Sequence, residues 1–346
     1  MTDSPQRFLI VRLSSIGDIV HTLPAVVALG ETFPRAELDW VVERCHASLL
    51  RDNPYLHRLV ELDTRGWRRR MRARTAFQEV RRGWRELRES RYDAALDFQG
   101  LWKSAVVTWC SGASERIGLI GPRMREASAA VLYTQRVSPR EGAHVVEESL
   151  ALVERLGAHT EQWQFPLPRA EADDAYVQSK LAALHAQDFI IINPGAGWRS
   201  KCWSPANYAD LIRRLERTLP KQILLTGSPQ EEEVISDILK EAGATGARYL
   251  PATILQFIAL ARRARLFVGG DTGPLHLAAA VGTPIVGIYG PTDPARNGPF
   301  APDDIALWNG GPINHTRRSA SPAYLPGVSV ESVLEAIGKR LARAYG

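Results

Sequence analysis

Cysteine is scarce: Cys45, Cys110 and Cys202 are the only three in 346 residues, odd in number and far apart. That usage excludes a disulfide framework and the paired spacing of a structural zinc site, and it fits reduced, partly buried thiols. Long apolar runs are missing as well. No stretch reaches the roughly 18 apolar residues that a membrane-spanning helix needs, and the amino-terminal MTDSPQRFLIVRLSS lacks the apolar core and cleavage site of a secretory signal. A cytoplasmic protein is therefore expected. Three nucleotide-site signatures are also absent: no G-x-G-x-x-G follows a predicted strand, no G-x-x-x-x-G-K-[ST] occurs, and there is no D-x-D pair. Dinucleotide and P-loop readings lose their main support, and a nucleotide held through a chelated metal is disfavoured. Cationic side chains and helix ends are left to meet any diphosphate.

What is present is ordinary globular material, 45% hydrophobic, in a chain long enough for two domains. Its charge is uneven. Residues 65 to 88 hold ten arginines against Glu79 and Glu86, a local balance of +8 in a chain of net charge +5, so the remainder is slightly acidic. Such a segment suits a polyanion: nucleic acid, an anionic membrane surface or a phosphorylated substrate. A solvated helix is the alternative.

Strands and helices alternate along the chain. Residues 8 to 13 read as a strand, followed by a loop of Ser14, Ser15, Ile16, Gly17 and Asp18 and a helix over 19 to 29. Further strands are predicted at 38–42, 58–62, 92–97 and 116–119, with helices at 71–89, 102–109 and 144–156. Residues 163 to 172, with Pro166 and Pro168 and no periodicity, read as a linker. The alternation then restarts, with strands at 189–193, 222–226, 248–250, 266–268 and 285–289 and helices at 175–186, 205–217, from 231, 254–264 and 274–281. A terminal helix spans 330–345. Two successive βα arrays predict an α/β protein with two parallel sheets facing across a cleft.

The segment 266 to 294, LFVGGDTGPLHLAAAVGTPIVGIYGPTDP, is the most informative. A buried strand, a turn at Gly269 and Gly270, and a helix opened by Pro274 and stopped at Gly282 make an anion cradle, with Asp271, Thr272 and Gly273 at the helix start. A capped helix with Asp271 or Thr272 as cap is the plainer reading. Asp18 has the same ambiguity: it either caps its helix or, at the carboxyl end of the first strand, stands in the crevice where α/β sheets bind ligands. Lys201, in the loop after 193, either meets a diphosphate or is solvated. Glu231 either holds a ribose or is a favourable first-turn acid. His276 either reaches phosphates or packs.

Five segments carry a resemblance: VRLSSIGDIVHTLPA, DFQGLWKSA, PGAGWRSKCW, GSPQEEE and GDTGPLHLAAAVGTPIVGIYGPTDP. In that order they resemble the bacterial lipopolysaccharide heptosyltransferases, glycosyltransferase family 9. Gln99, Gly100, Leu101, Lys103 and Ser104 look more like the heptosyltransferase I branch than the heptosyltransferase II branch. The resemblance implies a GT-B fold of two Rossmann-like domains: an acceptor-binding domain over 1–165, an ADP-sugar-binding domain over 173–327, and a terminal helix over 328–346 packing back on the first. It implies an ADP-heptose donor and inverting transfer to the Kdo of the lipid A inner core, with no cofactor and no metal. It also implies a cytoplasmic protein, peripheral at the anionic inner face of the inner membrane, and no nucleic-acid partner. Asp18 matches the family's general base, with Ser14, Ser15 and Gly17 around it. Lys201, Glu231, Asp271, Thr272, Gly273 and His276 match positions touching ADP or the donor sugar. Gln99, Lys103, Arg65, Arg68 and Arg123 fall where the anionic acceptor is expected. One departure is Ala196 and Gly197, where some related sequences carry two threonines.

Overall fold

A computed structural model describes residues 6–64, 66, 74–121, 124–197, 199–219, 221–311, 313 and 324–345. The chain forms two compact units, Met1–Pro168 and Arg169–Gly346, and their boundary falls inside the segment read as a linker.

The first unit runs β1 (Arg7–Val11), α1 (Ile16–Thr32), β2 (Glu37–Glu43), β3 (Arg58–Leu62), α2 (Arg74–Glu89), β4 (Ala94–Asp97), α3 (Trp102–Cys110), β5 (Glu115–Leu119), β6 (Gln135–Val137) and α4 (Val145–Glu154). Its six parallel strands stand in the order β3-β2-β1-β4-β5-β6. Continuous apolar runs such as Phe8–Val11 and Trp40–Val42 are buried on both sheet faces, as parallel strands flanked by helices must be.

The second unit runs α5 (Glu171–Ala183), β7 (Phe189–Asn193), α6 (Pro205–Thr218), β8 (Gln222–Leu225), α7 (Glu232–Ala242), β9 (Arg248–Tyr249), α8 (Ile254–Ala261), β10 (Leu266–Gly270), α9 (Gly273–Ala280), β11 (Ile285–Tyr289), α10 (Pro294–Asn297), β12 (Ile305–Trp308) and α11 (Val330–Tyr345). The order β12-β11-β10-β7-β8-β9 repeats the first sheet, strand for strand. In each sheet the chain builds outward from a central strand, then returns to build the other side. The reversal lies between β1 and β4 in one unit and between β7 and β10 in the other. At such a point two adjacent loops diverge and leave a crevice at the carboxyl edge.

Several expectations change. Gly269 and Gly270 do not form the turn; they are the last two residues of β10. A Cβ on Gly269 would meet the Asn193 carbonyl oxygen of the neighbouring strand at 2.8 Å, so glycine is needed for close approach of backbones. The short edge strands β6 and β12 escaped the sequence reading, as did α10. Three and four residues at a sheet edge carry too little periodicity to register.

In place of the separate element expected at 328–346, α11 is built into the second unit. Val333, Ala336, Ile337 and Leu341 join the core that contains Ile190, Leu225 and Val286. Arg340 is anchored to Asp304 at 2.9 Å, while Asp304 also accepts the Ile285 amide. Among the described residues no helix is long and apolar enough to cross a membrane.

Candidate functional site

At the first reversal point, the loop from β1 into α1 carries Ser14, Ser15, Gly17 and Asp18. Asp18 sits at the third position of α1, and its Oδ2 accepts both the Ser15 amide (2.9 Å) and the Ser15 hydroxyl (2.8 Å). The capping reading of Asp18 is thus correct in local geometry. It does not exhaust the residue, because Oδ1 faces the guanidinium of Arg12 in an ion pair and the side chain keeps 39% of its surface exposed.

Arg12 itself is buried. Its other amino group donates to the Phe98 carbonyl in the loop after β4, and in the same loop Gln99 Oε1 accepts the Leu13 amide at 2.9 Å. That loop is shaped from below by Asp97, fully buried, which accepts the Tyr133 hydroxyl (2.7 Å) and the amides of Gln99 (2.8 Å) and Gly100 (3.0 Å). Burial pushes the Asp97 carboxyl above its ordinary value, and these donors offset part of that rise. The carboxylate at the crevice is therefore held by two adjoining loops through Arg12. The sequence did carry a signal for Arg12: it is the one charged residue inside the run Phe8–Leu13. Lys103 lies half-buried in the first turn of α3. Arg65, Arg68 and Arg123 lie outside the described residues.

At the second reversal point, Asp271 follows β10 and is 6% exposed. Its Oδ2 lies 2.6 Å from Lys201 Nζ, and its Oδ1 lies 2.9 Å from His276 Nε2, one turn into α9. Burial alone would raise the Asp271 carboxyl. The hydrogen bond from His276 and the Lys201 ammonium outweigh burial and hold it far below the usual carboxylate range. An ionised carboxylate only accepts, so Nε2 of His276 carries a proton. Asp271 is thus not a bare acid at a helix start, where it would repel an anion. Two cationic or donor groups offset it.

The short turn Arg199–Lys201 passes close to the end of β10, whose last residue is glycine. A Cβ on Gly270 would meet Lys201 O at 3.2 Å, tighter than ordinary contact, while one on Gly290, just after β11, would overlap the Leu325 side chain. Thr272 caps α9 in position, yet its Oγ1 is buried without a hydrogen-bond partner among the described residues. The same holds for Oγ of Ser200 and Oγ1 of Thr292. Of these, Thr272 stands at the start of α9, where an unspent hydroxyl beside free backbone N–H groups suits an oxyanion. The sequence alone does not single out Ser200, Thr292 or Gly290, since small residues in loops carry no periodic signal.

Glu231 closes a capping arrangement of its own: Oε2 accepts the Ser228 amide and hydroxyl, both at 2.7 Å. Its Oε1 lies where a side chain on Gly195 would begin, so the loop after β7 passes directly over it. Among the described residues, no cluster of three His, Cys, Asp or Glu side chains could hold a metal ion. The first unit therefore presents a braced carboxylate, and the second a neutralised acid with the unspent Thr272 hydroxyl at a helix start.

Several known proteins similar to this chain are glycosyltransferases. The family model described as glycosyltransferase family 9 (heptosyltransferase) matches residues 80–324. The lipopolysaccharide heptosyltransferase 1 of Pseudomonas aeruginosa is 30% identical over 308 residues, covering 87% of this chain and 83% of that protein. Among solved structures, the E. coli heptosyltransferase WaaC with ADP superposes with a TM-score of 0.78 at 25% identity, over 97% of this chain and 100% of that one. The same enzyme with ADP-2-deoxy-2-fluoro heptose gives 0.74 at 26%, over 96% and 99%. The fold shared with these structures is the GT-B architecture expected from sequence.

Proposed function

Since this chain belongs to glycosyltransferase family 9, the heptosyltransferases, we propose that it moves L-glycero-D-manno-heptose from ADP-heptose to the Kdo sugar of the lipid A inner core, with inversion. Asp18 carries the reading: it is a partly exposed carboxylate at the carboxyl edge of a Rossmann-like sheet, oriented by Ser15 and Arg12. In the reaction the acceptor hydroxyl oxygen bonds to the anomeric carbon while the bond from that carbon to the ADP oxygen breaks. The hydroxyl proton passes to Asp18, and ADP leaves with the electron pair. A carboxylate stabilised by two donors and a guanidinium is a weak base, so it takes the proton late, once the carbon–oxygen bond is forming.

The second unit holds the donor in this proposal. The start of α9, the hydroxyls of Thr272, Ser200 and Thr292, and Lys201 meet the diphosphate charge, and Glu231 reaches the ribose. No metal or cofactor takes part. Gln99, Lys103 and the arginines at 65, 68 and 123 meet the anionic acceptor, and the enzyme works in the cytoplasm at the inner face of the membrane. The test is a mass spectrum of Kdo-bearing lipid A after incubation with the protein and ADP-heptose. Gain of one heptose supports the reading, and no gain with ADP still bound would discard the donor or acceptor assignment. Gain only on an acceptor that already bears heptose would move the chain to the heptosyltransferase II activity.

Arg12 belongs to the same machinery as a positioning residue. Arg12→Met should lower kcat on the order of 10²-fold, the scale of a displaced reacting group, with ADP affinity unchanged. Arg12→Lys should recover part of the loss, because a shorter cation still reaches the carboxylate. Equal rates in all three proteins, measured by single-turnover transfer, would show that the brace does not matter to catalysis.

A further inference from the structure

Large apolar side chains left exposed are not scattered evenly over the described residues. Trp84, Trp102, Trp109 and Val131, half of those recorded, come from α2, α3 and the short turn Ala127–Leu132 that packs on α3. The helix α3 turns Ser104, Ala105, Val107, Thr108 and Cys110 inward. Trp102 and Trp109, seven residues apart, share its outer stripe at 42% and 53% exposure. Val131, in the turn that packs on α3, is 67% exposed. Trp102 is held in place: its indole N–H donates to Ser128 Oγ at 3.1 Å and its amide to Glu126.

The helix α2 also packs against α3. Arg88 packs 3.4 Å from where a side chain on Gly112, just past α3, would begin. Leu87 points inward, while Arg81, Arg82, Arg85 and Arg88 are exposed. They form the carboxyl end of the segment that holds ten arginines against two glutamates.

We propose that this face, the outer stripe of α3 with Val131 and the arginines of α2, seats the first unit on an anionic lipid bilayer. Three features favour that occupant. Tryptophans with one polar tip satisfied and the ring exposed partition to the headgroup boundary of membranes. Arginines alongside them supply the second signal that stable interfacial anchoring requires, at about fivefold in affinity for each one near the surface. An exposed valine adds nothing to stacking on a nucleic-acid base but enters the acyl boundary readily. A second copy of the chain is disfavoured, because an isologous pairing would bring the two arginine-rich helices together. The proposal rests on a lipid-linked acceptor, as put forward above, for its purpose but not for its chemistry.

The test is flotation of the full-length protein with vesicles of phosphatidylcholine alone or mixed with phosphatidylglycerol. Binding is expected only to the mixed vesicles, with release at high salt. The variant Trp109→Ala with Val131→Ser should bind at least about tenfold more weakly, from lost apolar contact. It should transfer heptose to a soluble short-chain acceptor at the wild-type rate, yet lose rate on acceptor embedded in vesicles. Wild-type binding by the variant, or equal binding to both vesicle types, would overturn the proposal. So would a doubling of mass in light scattering that the variant abolishes, or generic DNA binding that it abolishes. If vesicles are bound as expected but no heptose is ever transferred, the donor and acceptor assignment fails and the lipid face stands. The converse outcome removes the face alone.

Discussion

Asp18→Ala should slow heptose transfer by about 10²–10⁴-fold, the range of a lost general base, while ADP binding in the second unit stays as in the wild type. The geometry makes a sharper version possible. Asp18 also closes the amino end of α1 by accepting two bonds from Ser15, so the alanine variant should lose about 0.5–2 kcal/mol of stability as well. Asp18→Asn separates the two roles. The amide oxygen can still accept from Ser15, so thermal stability should return most of the way, but an amide takes up no proton and turnover should remain lost. Recovery of both stability and rate in the asparagine variant would return Asp18 to capping alone.

Lys201→Ala should strongly destabilise the second unit. It strips the 2.6 Å partner from a carboxylate that is 6% exposed, and breaking a buried ion pair from one side costs about 3–5 kcal/mol. Adding Asp271→Asn should restore much of that loss, since no uncompensated charge would remain. Urea unfolding of wild type, both single variants and the double variant would measure the coupling.

The pH dependence has a definite sign. The folded Asp271 carboxyl lies below its unfolded value of about 4, so its contribution to stability is complete above that pH and is lost as the pH falls toward the depressed folded value. The stability gap between wild type and Lys201→Ala should therefore be widest at neutral pH and narrow on acidification. A gap independent of pH would mean that Lys201 stabilises the turn by packing, not through its charge. ADP affinity, measured on the double variant, then isolates what the ammonium does for the diphosphate.

Much of this molecule was legible before any coordinates. The doubled βα alternation predicted two parallel sheets because buried parallel strands need nearly continuous apolar runs, and runs such as Phe8–Val11 and Ile190–Ile192 stand out from the helices around them. Asp18 and Asp271 could be placed at helix starts from spacing alone. Their partners could not. Arg12 and Asp18 are close in sequence, yet the ion pair acquires its meaning from the Phe98 carbonyl, 86 residues away. Lys201 and Asp271 are 70 residues apart and meet only because β7 and β10 are neighbours at the reversal of the sheet.

The glycines teach the same lesson in reverse. Gly269 and Gly270 looked like a turn because glycine's backbone freedom is its most familiar use, but they are there to remove a side chain between adjoining backbones. The sequence by itself determined local structure, the two-sheet class, the family and the loops that bear the chemistry, because periodicity and short motifs are local properties. Only the tertiary structure decided which charges neutralise one another, which hydroxyls stay unspent and which tryptophans face outward. Those outcomes depend on which loops the strand order brings side by side, and strand order is a long-range property that no window of residues contains.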